Sequence, residues 1–226
     1  MDALPFKDYF SPNGAFNLSS RLPDWAMRAD LSPRINCSYA SKNSSNPSDS
    51  QSKGGFQHLQ VTLTDHLDLL TYGSLSNTES PKAFHPSAFV IWDVYKGSEA
   101  EKIQAFLIRS LGVSKGSSKS VYMDTFMREK LFQEESIRGH RIYQNPGDMI
   151  LIPGGSIFQN CSLRDSISVS MKALSLENSG QVINFEERPL EFPGLISQEE
   201  SSFSILSTLW WSWKVGMRRL VGWENP

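Results

Sequence analysis

The sequence predicts a mainly β chain with helices: a jelly-roll of eight short strands with a helical insert halfway along it and a helix at the C-terminus. Three observations carry that expectation. Runs of β-branched and aromatic residues recur between turn residues, two helical stretches separate the fourth run from the fifth, and a Trp-rich segment with helical spacing follows the last. At 226 residues the chain can fill one core, so a single domain over residues 1–226 is expected.

The elements follow in order. R-I-N-C-S-Y-A, residues 34–40, reads as the first strand. Residues 40–55 are rich in Ser, Asn and Gly and almost devoid of apolar side chains, which predicts a flexible loop. H-L-Q-V-T-L (58–63), D-L-L-T-Y-G (68–73) and A-F-V-I-W-D-V-Y (88–95) supply three more strands. The first helix is expected over Ser98–Leu111, with Ser98 as N-cap, Glu101 closing a capping box and Gly112 as the stop. A second is expected over 123–135. H-R-I-Y-Q, M-I-L-I-P, I-F-Q-N-C and S-I-S-V-S-M-K-A then restore the strand pattern, punctuated by Asn145-Pro146-Gly147-Asp148 and by Gly154-Gly155.

The closing helix is expected over 201–222. Phe203, Leu206, Trp210, Trp213 and Met217 fall at steps of three and four, as a helix packing one face would place them. Lys214, Arg218 and Arg219 interrupt the apolar run, so a docked helix is the first reading, an interfacial or self-associating helix the second and a membrane span the third.

Composition narrows the function classes. Apolar residues at 39% and charged residues at 20% are those of a globular chain, and 22 basic against 24 acidic residues with no basic run give no support to direct nucleic-acid binding. Cys37 and Cys161 lack zinc-ribbon or disulfide-scaffold spacing and read as two reduced, partly buried thiols. The N-terminal M-D-A-L-P-F-K-D-Y-F has no apolar secretory core, which predicts a cytoplasmic or nuclear chain.

Several stretches together resemble the JmjC family of histone lysine demethylases, in particular a fungal-like form of the branch acting on lysine 9 of histone three. L-P-F-K-D-Y at 4–9, L-S-S-R-L-P-D-W at 18–25, Asp30-Leu31-Ser32-Pro33-Arg34 and Ile91-Trp92-Asp93-Val94-Tyr95 are each similar to family segments in the same order. The best match is N-P-G-D-M-I-L-I-P-G-G-S-I-F-Q-N-C-S-L at 145–163, and S-L-E-N at 175–178 echoes the family's S-P-E-N. The resemblance implies a cupin-type double-stranded β-helix that binds Fe(II) and 2-oxoglutarate and oxidises a methyl group on lysine. It also implies a nuclear location and histone-tail or chromatin partners. The chemistry needs two His and one carboxylate on one side of the iron. An H-x-D pair supplies two of these, because side chains two apart on a strand share a face.

The chain contains one H-x-D, His66-Leu67-Asp68, but the resemblance does not place it on the ligand strand. The family's G-S-T-x-L-H-x-D-x-x-D-A-x-N-x-M-x-Y lies without a gap on Gly55–Tyr72, which puts Asp65 and Tyr72 on its later D and Y, and Gln60 and Thr62 on the ligand His and Asp. A second register gives the slots to His58-Leu59-Gln60. The distal ligand His falls on Phe158 in both. His66 and Asp68, with His140 as third member, form the alternative metal set, while His85 lies in a loop. The H-x-D pair itself is expected to be a look-alike, at a strand edge or beside a loop rather than a ligand pair. The co-substrate pocket also looks weakened, since Ser168 stands where the family has Lys and no cation lies between Lys53 and Lys82.

The first expectation is therefore a degenerate JmjC protein: inactive, with no cofactor, acting as a chromatin-associated scaffold or binding module. An active Fe(II)/2-oxoglutarate dioxygenase with a displaced triad is the alternative. A truncated, non-functional paralogue is the third reading, because the family carries further sequence and a zinc module upstream of L-P-F. Self-association through the Trp-rich helix stays open.

Overall fold

The computed structural model describes residues 6–26, 29–40, 55–74, 88–112, 116, 120–187, 193–196 and 204–221. Residues 41–54 of the expected 40–55 loop, and His85, lie outside them. Among the described residues eight strands build two four-stranded antiparallel sheets. β1 (Arg34–Ser38), β3 (Asp65–Gly73), β6 (Met149–Ile152) and β8 (Ser166–Ala173) form the first, in the order β1-β8-β3-β6. β2 (Phe56–Val61), β4 (Val90–Tyr95), β5 (His140–Gln144) and β7 (Ile157–Ser162) form the second, in the order β2-β7-β4-β5. This is the jelly-roll of the cupins, with successive strands alternating between the two sheets except at β4 and β5, which pair within the second.

Among the described residues the α-helices are α1 (Lys7–Phe10), α2 (Ala100–Leu111), α3 (Thr125–Glu135), α4 (Ser179–Glu187) and α5 (Ile205–Val221). α2 starts later than expected. A 3-10 turn at Gly97–Glu99 precedes it, and Glu99 accepts from the Lys96 backbone N–H at 3.2 Å, so neither Ser98 nor Glu101 makes the cap. Gly112 closes the helix in the left-handed conformation (φ 61°), as its sequence position predicts. α3 is capped by Asp124, whose carboxylate accepts from the Met127 N–H at 2.7 Å.

α2 and α3 cover the outer face of the second sheet. There Leu59, Val61 and Ile157 meet Ile103, Phe106, Leu107 and Leu131 in the largest apolar cluster. Between the sheets a second cluster gathers Leu70, Trp92, Ile150, Ile152 and Phe158. The barrel is thus filled with apolar side chains on the β4 and β6 side. On the β1 and β8 side it is not, for a reason visible in the residue alternation.

In β1 and β8 the usual polarity is reversed. Arg34, Asn36, Ser168, Ser170 and Lys172 line the interior, whereas Ile35 is 75% exposed and Ile167 also faces out. Because side chains alternate across a sheet, a strand with polar residues turned inward must line a hydrated or ligand-sized space rather than a packed core. Cys37 shares this outward face and is exposed, which corrects the expectation of a partly buried thiol; Cys161 is buried, and burial pushes its thiol up to about 11.

α5 also departs from expectation. Its docked face is Ile205, Thr208, Leu209 and Ser212, packed on Leu18, Leu174 and Val182, with Ser212 Oγ donating to the Leu18 carbonyl at 3.3 Å. The expected stripe of Leu206, Trp210, Trp213 and Met217 faces outward instead, while Phe203 lies outside the described residues. Both faces are apolar enough to dock, and Glu186 decides between them by taking the first backbone N–H groups of the helix, Ile205 at 2.9 Å and Leu206 at 3.2 Å. No helix among the described residues is long and apolar enough to cross a membrane.

Candidate functional site

The reversed strands and the mouth of β2 and β7 enclose a cavity of about 440 Å³. Gln60, Thr62 and Phe158 line it from the second sheet, and His66 and Asp68 from the first. In the β2–β7 ladder Gln60 lies directly opposite Phe158, and the Thr62 N–H pairs with Ser156 one step further on. The three positions named by the gap-free register are thus neighbours across the ladder. A register shift between Gln57 and Gln60 leaves His58 exposed, so β2 does not present His58 to the cavity.

The expectation that His66-Leu67-Asp68 sits at a strand edge is corrected. β3 runs from Asp65, three residues before its expected start, and is flanked on both sides by β8 and β6. The anchor is Asp65, whose carboxylate accepts from Gly154 N–H at 2.8 Å, Ser175 N–H at 3.2 Å and the Asn178 amide at 2.6 Å. That one side chain joins the start of β3 to the β6–β7 turn and to the segment after β8. The matching D and S-L-E-N stretches are therefore parts of one structural clamp.

His66 and Asp68 are both buried and point inward. His66 stacks on Phe158 with ring centroids 5.6 Å apart and lies 6.2 Å from Trp92. Asp68 accepts from Ser168 Oγ at 2.8 Å and from Gln144 Nε2 at 3.1 Å, and Gln144 in turn accepts from the Trp92 indole at 2.8 Å. Ser168, which stands where the resemblance has a Lys, thus serves Asp68. Burial raises the Asp68 pKa despite these two hydrogen bonds.

Burial, with Lys172 across the ladder, lowers the His66 pKa to about 4. Its folded value is depressed below the unfolded one, so the unfolded state binds the extra proton between roughly pH 6.5 and 4. Stability tied to His66 is then complete above that window and declines as pH falls through it, by at most about 3 kcal/mol. Asp68 acts with the opposite sign. The difference between wild type and His66→Leu isolates the histidine: urea titrations from about pH 7 to about pH 4 should show a gap that narrows with acidification. A constant gap would mean that His66 does not titrate in this range.

Sequence reasoning missed the cavity's cations. Lys172 comes from β8 and Arg34, which pairs with Asp30 at 2.7 Å, from β1. A search limited to the residues around β3 could not find them, although the alternation in S-V-S-M-K and R-I-N-C-S carries the signal.

The donor chemistry decides which groups fit a metal. Gln60 and Thr62 offer neutral oxygens and Phe158 offers nothing, so these three positions do not fit Fe(II), which calls for imidazole and carboxylate. His66 and Asp68 supply one imidazole and one carboxylate on one face of β3. His140 is not brought to them: it is exposed at the start of β5 and borders a separate cleft with Tyr95 and Gln104. Among the described residues no group of three or more His, Cys, Asp or Glu is placed to hold a metal ion.

Comparison with known proteins agrees with the fold. A family model described as "JmjC domain, hydroxylase" matches residues 78–172. The chain is 26% identical over 211 residues to the human "Probable JmjC domain-containing histone demethylation protein 2C", a match covering 79% of this chain and 8% of that protein. It is 25% identical over 210 residues to "Lysine-specific demethylase 3A-B" of Xenopus laevis, covering 79% of the chain and 15% of the relative. With "Lysine-specific demethylase 3A" of Rattus norvegicus it shares 26% over 212 residues, with coverage of 79% and 17%. The chain thus spans less than a fifth of the length of these relatives. Its fold is a cupin-type jelly-roll, and the chain is similar to a JmjC domain over residues 78–172 and to histone demethylases that carry JmjC in their names or act on lysine.

Proposed function

We propose that this chain is a JmjC-type barrel without demethylase turnover, of the lysine-9 branch, acting in the nucleus as a chromatin-associated scaffold or peptide-binding module. The observation that carries the reading is the Gln60–Phe158 pair facing the cavity across the β2–β7 ladder. The Phe158 ring is fully buried against Trp92 and His66, at 5.7 and 5.6 Å, and fills the volume that a distal imidazole and its ion would need. The Asp65 clamp, built on segments that resemble the family's, serves the scaffold. The residues at the ligand positions do not serve metal chemistry.

A 2-oxoglutarate turnover assay with added Fe(II) tests the reading, and turnover at the background rate is the expected result. One observation favours a second reading, a dioxygenase with a displaced metal set: His66 and Asp68 both face the cavity. Turnover above background that Asp68→Ala abolishes would establish that alternative and remove the first.

A further inference from the structure

We propose that the outward stripe of α5 pairs this chain with a second copy of itself. The inference stands on the outer surface and does not depend on the catalytic state of the cavity. Leu206 is 44% exposed, Trp210 56%, Trp213 57%, Met217 41% and Leu220 83%, so five large apolar side chains in a row meet solvent. Surface patches of this kind on a folded chain mark interaction sites.

The spacing identifies the kind of surface that covers it. The stripe advances by four, three, four and three residues, which averages the 3.5-residue repeat of a helix–helix seam. It is narrow. On one side lies the docked face, with Ile205, Thr208 and Leu209; on the other lie Ser207 and Lys214. A helix lying in a lipid surface would present a broader apolar face.

Charge and area point to a like copy. None of the five stripe residues is charged; of the cations beside them, Lys214 holds its ammonium 4.6 Å from the Trp211 ring and Arg218 is exposed. Two such stripes therefore meet without buried charge. Trp210 and Trp213 already pack against each other, with ring centroids 5.2 Å apart and planes tilted by 32°, giving a continuous aromatic surface that suits its own copy. Given the side-chain areas involved, each copy offers on the order of 600 Å² of apolar surface, so a symmetric pair buries about 1,200 Å², which reaches the range of specific interfaces. Trp25, 77% exposed and edge-on to Trp211 at 5.4 Å, lies on the neighbouring turn.

Sedimentation equilibrium on the full chain over a wide concentration range is the test. The account predicts a mass rising with concentration from 25.4 kDa toward twice that value, with tryptophan emission shifting to the blue. Trp210→Glu/Trp213→Glu should stay monomeric with unchanged far-UV circular dichroism and melting temperature, since both side chains are more than half exposed. Leu206→Glu/Leu220→Glu is the second variant and should behave alike. A wild type that is monomeric throughout would overturn the proposal, as would a dimer that persists in both folded variants. Binding of a monomeric wild type to phosphatidylserine vesicles, lost in the variants, would overturn it in favour of a lipid surface.

Discussion

Asp93→Ala should lower the free energy of unfolding by about 3 kcal/mol, because breaking a buried ion pair strands its partners. Asp93 is 2% exposed on β4 and ties together four elements. It accepts from Arg141 Nε and Nη2 at 2.8 and 3.0 Å, from Arg128 Nη1 at 3.3 Å and from Gln159 Nε2 at 3.0 Å. Gln159 passes the restraint on, since its amide also bonds the Met123 N–H at 2.9 Å and carbonyl at 2.8 Å. The Arg141 and Arg128 side chains keep 28% and 20% of their surface in water. They can recover part of their solvation when the carboxylate goes, so the lower end of the range for broken buried pairs applies. Urea denaturation measures the effect. A loss below about 0.5 kcal/mol, the level of an ordinary surface substitution, would show that Asp93 does not organise the second sheet.

The triple variant Gln60→His/Thr62→Asp/Phe158→His should acquire Mn(II) affinity. Positions 60 and 62 line the cavity from β2, and position 158 faces 60 directly across the ladder. Two imidazoles and a carboxylate placed there would converge on one side of a single point. Metal at a hundredfold excess over its dissociation constant would stabilise the folded state by about 2.7 kcal/mol relative to the metal-free variant. Thermal unfolding with and without Mn(II) reads this out. A folded triple variant with no shift would mean that the β2–β7 register does not bring the three positions together.

Much of the fold was legible in residue patterning. Every strand run appears as a strand, because β-branched and aromatic alternation between turns is set locally. Asn145-Pro146-Gly147-Asp148 turns as expected, with Gly147 at φ 94° and the Asp148 carboxylate accepting from the Asn145 N–H at 2.8 Å. What escaped was set by tertiary partners. The early start of β3 depends on Asp65 reaching Gly154, Ser175 and Asn178, two of them more than a hundred residues away. α4, S-G-Q-V-I-N-F-E-E, is short and carries Gly180, and its place is fixed by Val182 and Phe185 entering separate apolar clusters. On α5 periodicity identified a helix but not its docked face, since two apolar stripes run along it.

The candidate site was legible only where resemblance supplied a register. Gln60 and Phe158 could be paired in advance by matching segments, and the ladder places them opposite each other. The inward direction of His66 and Asp68 could not be read, because a mixed run such as D-H-L-D-L-L has no clear alternation. Nor could the contribution of Arg34 and Lys172, which depends on β1 and β8 lying side by side in the barrel.

The most direct test of the central claim is a titration of the purified wild-type chain with Mn(II), a redox-inert stand-in for Fe(II), together with 2-oxoglutarate, followed by thermal unfolding. The account predicts a cooperative transition whose midpoint does not move. A saturable rise that requires both metal and 2-oxoglutarate would contradict it and place the binding chemistry on His66 and Asp68.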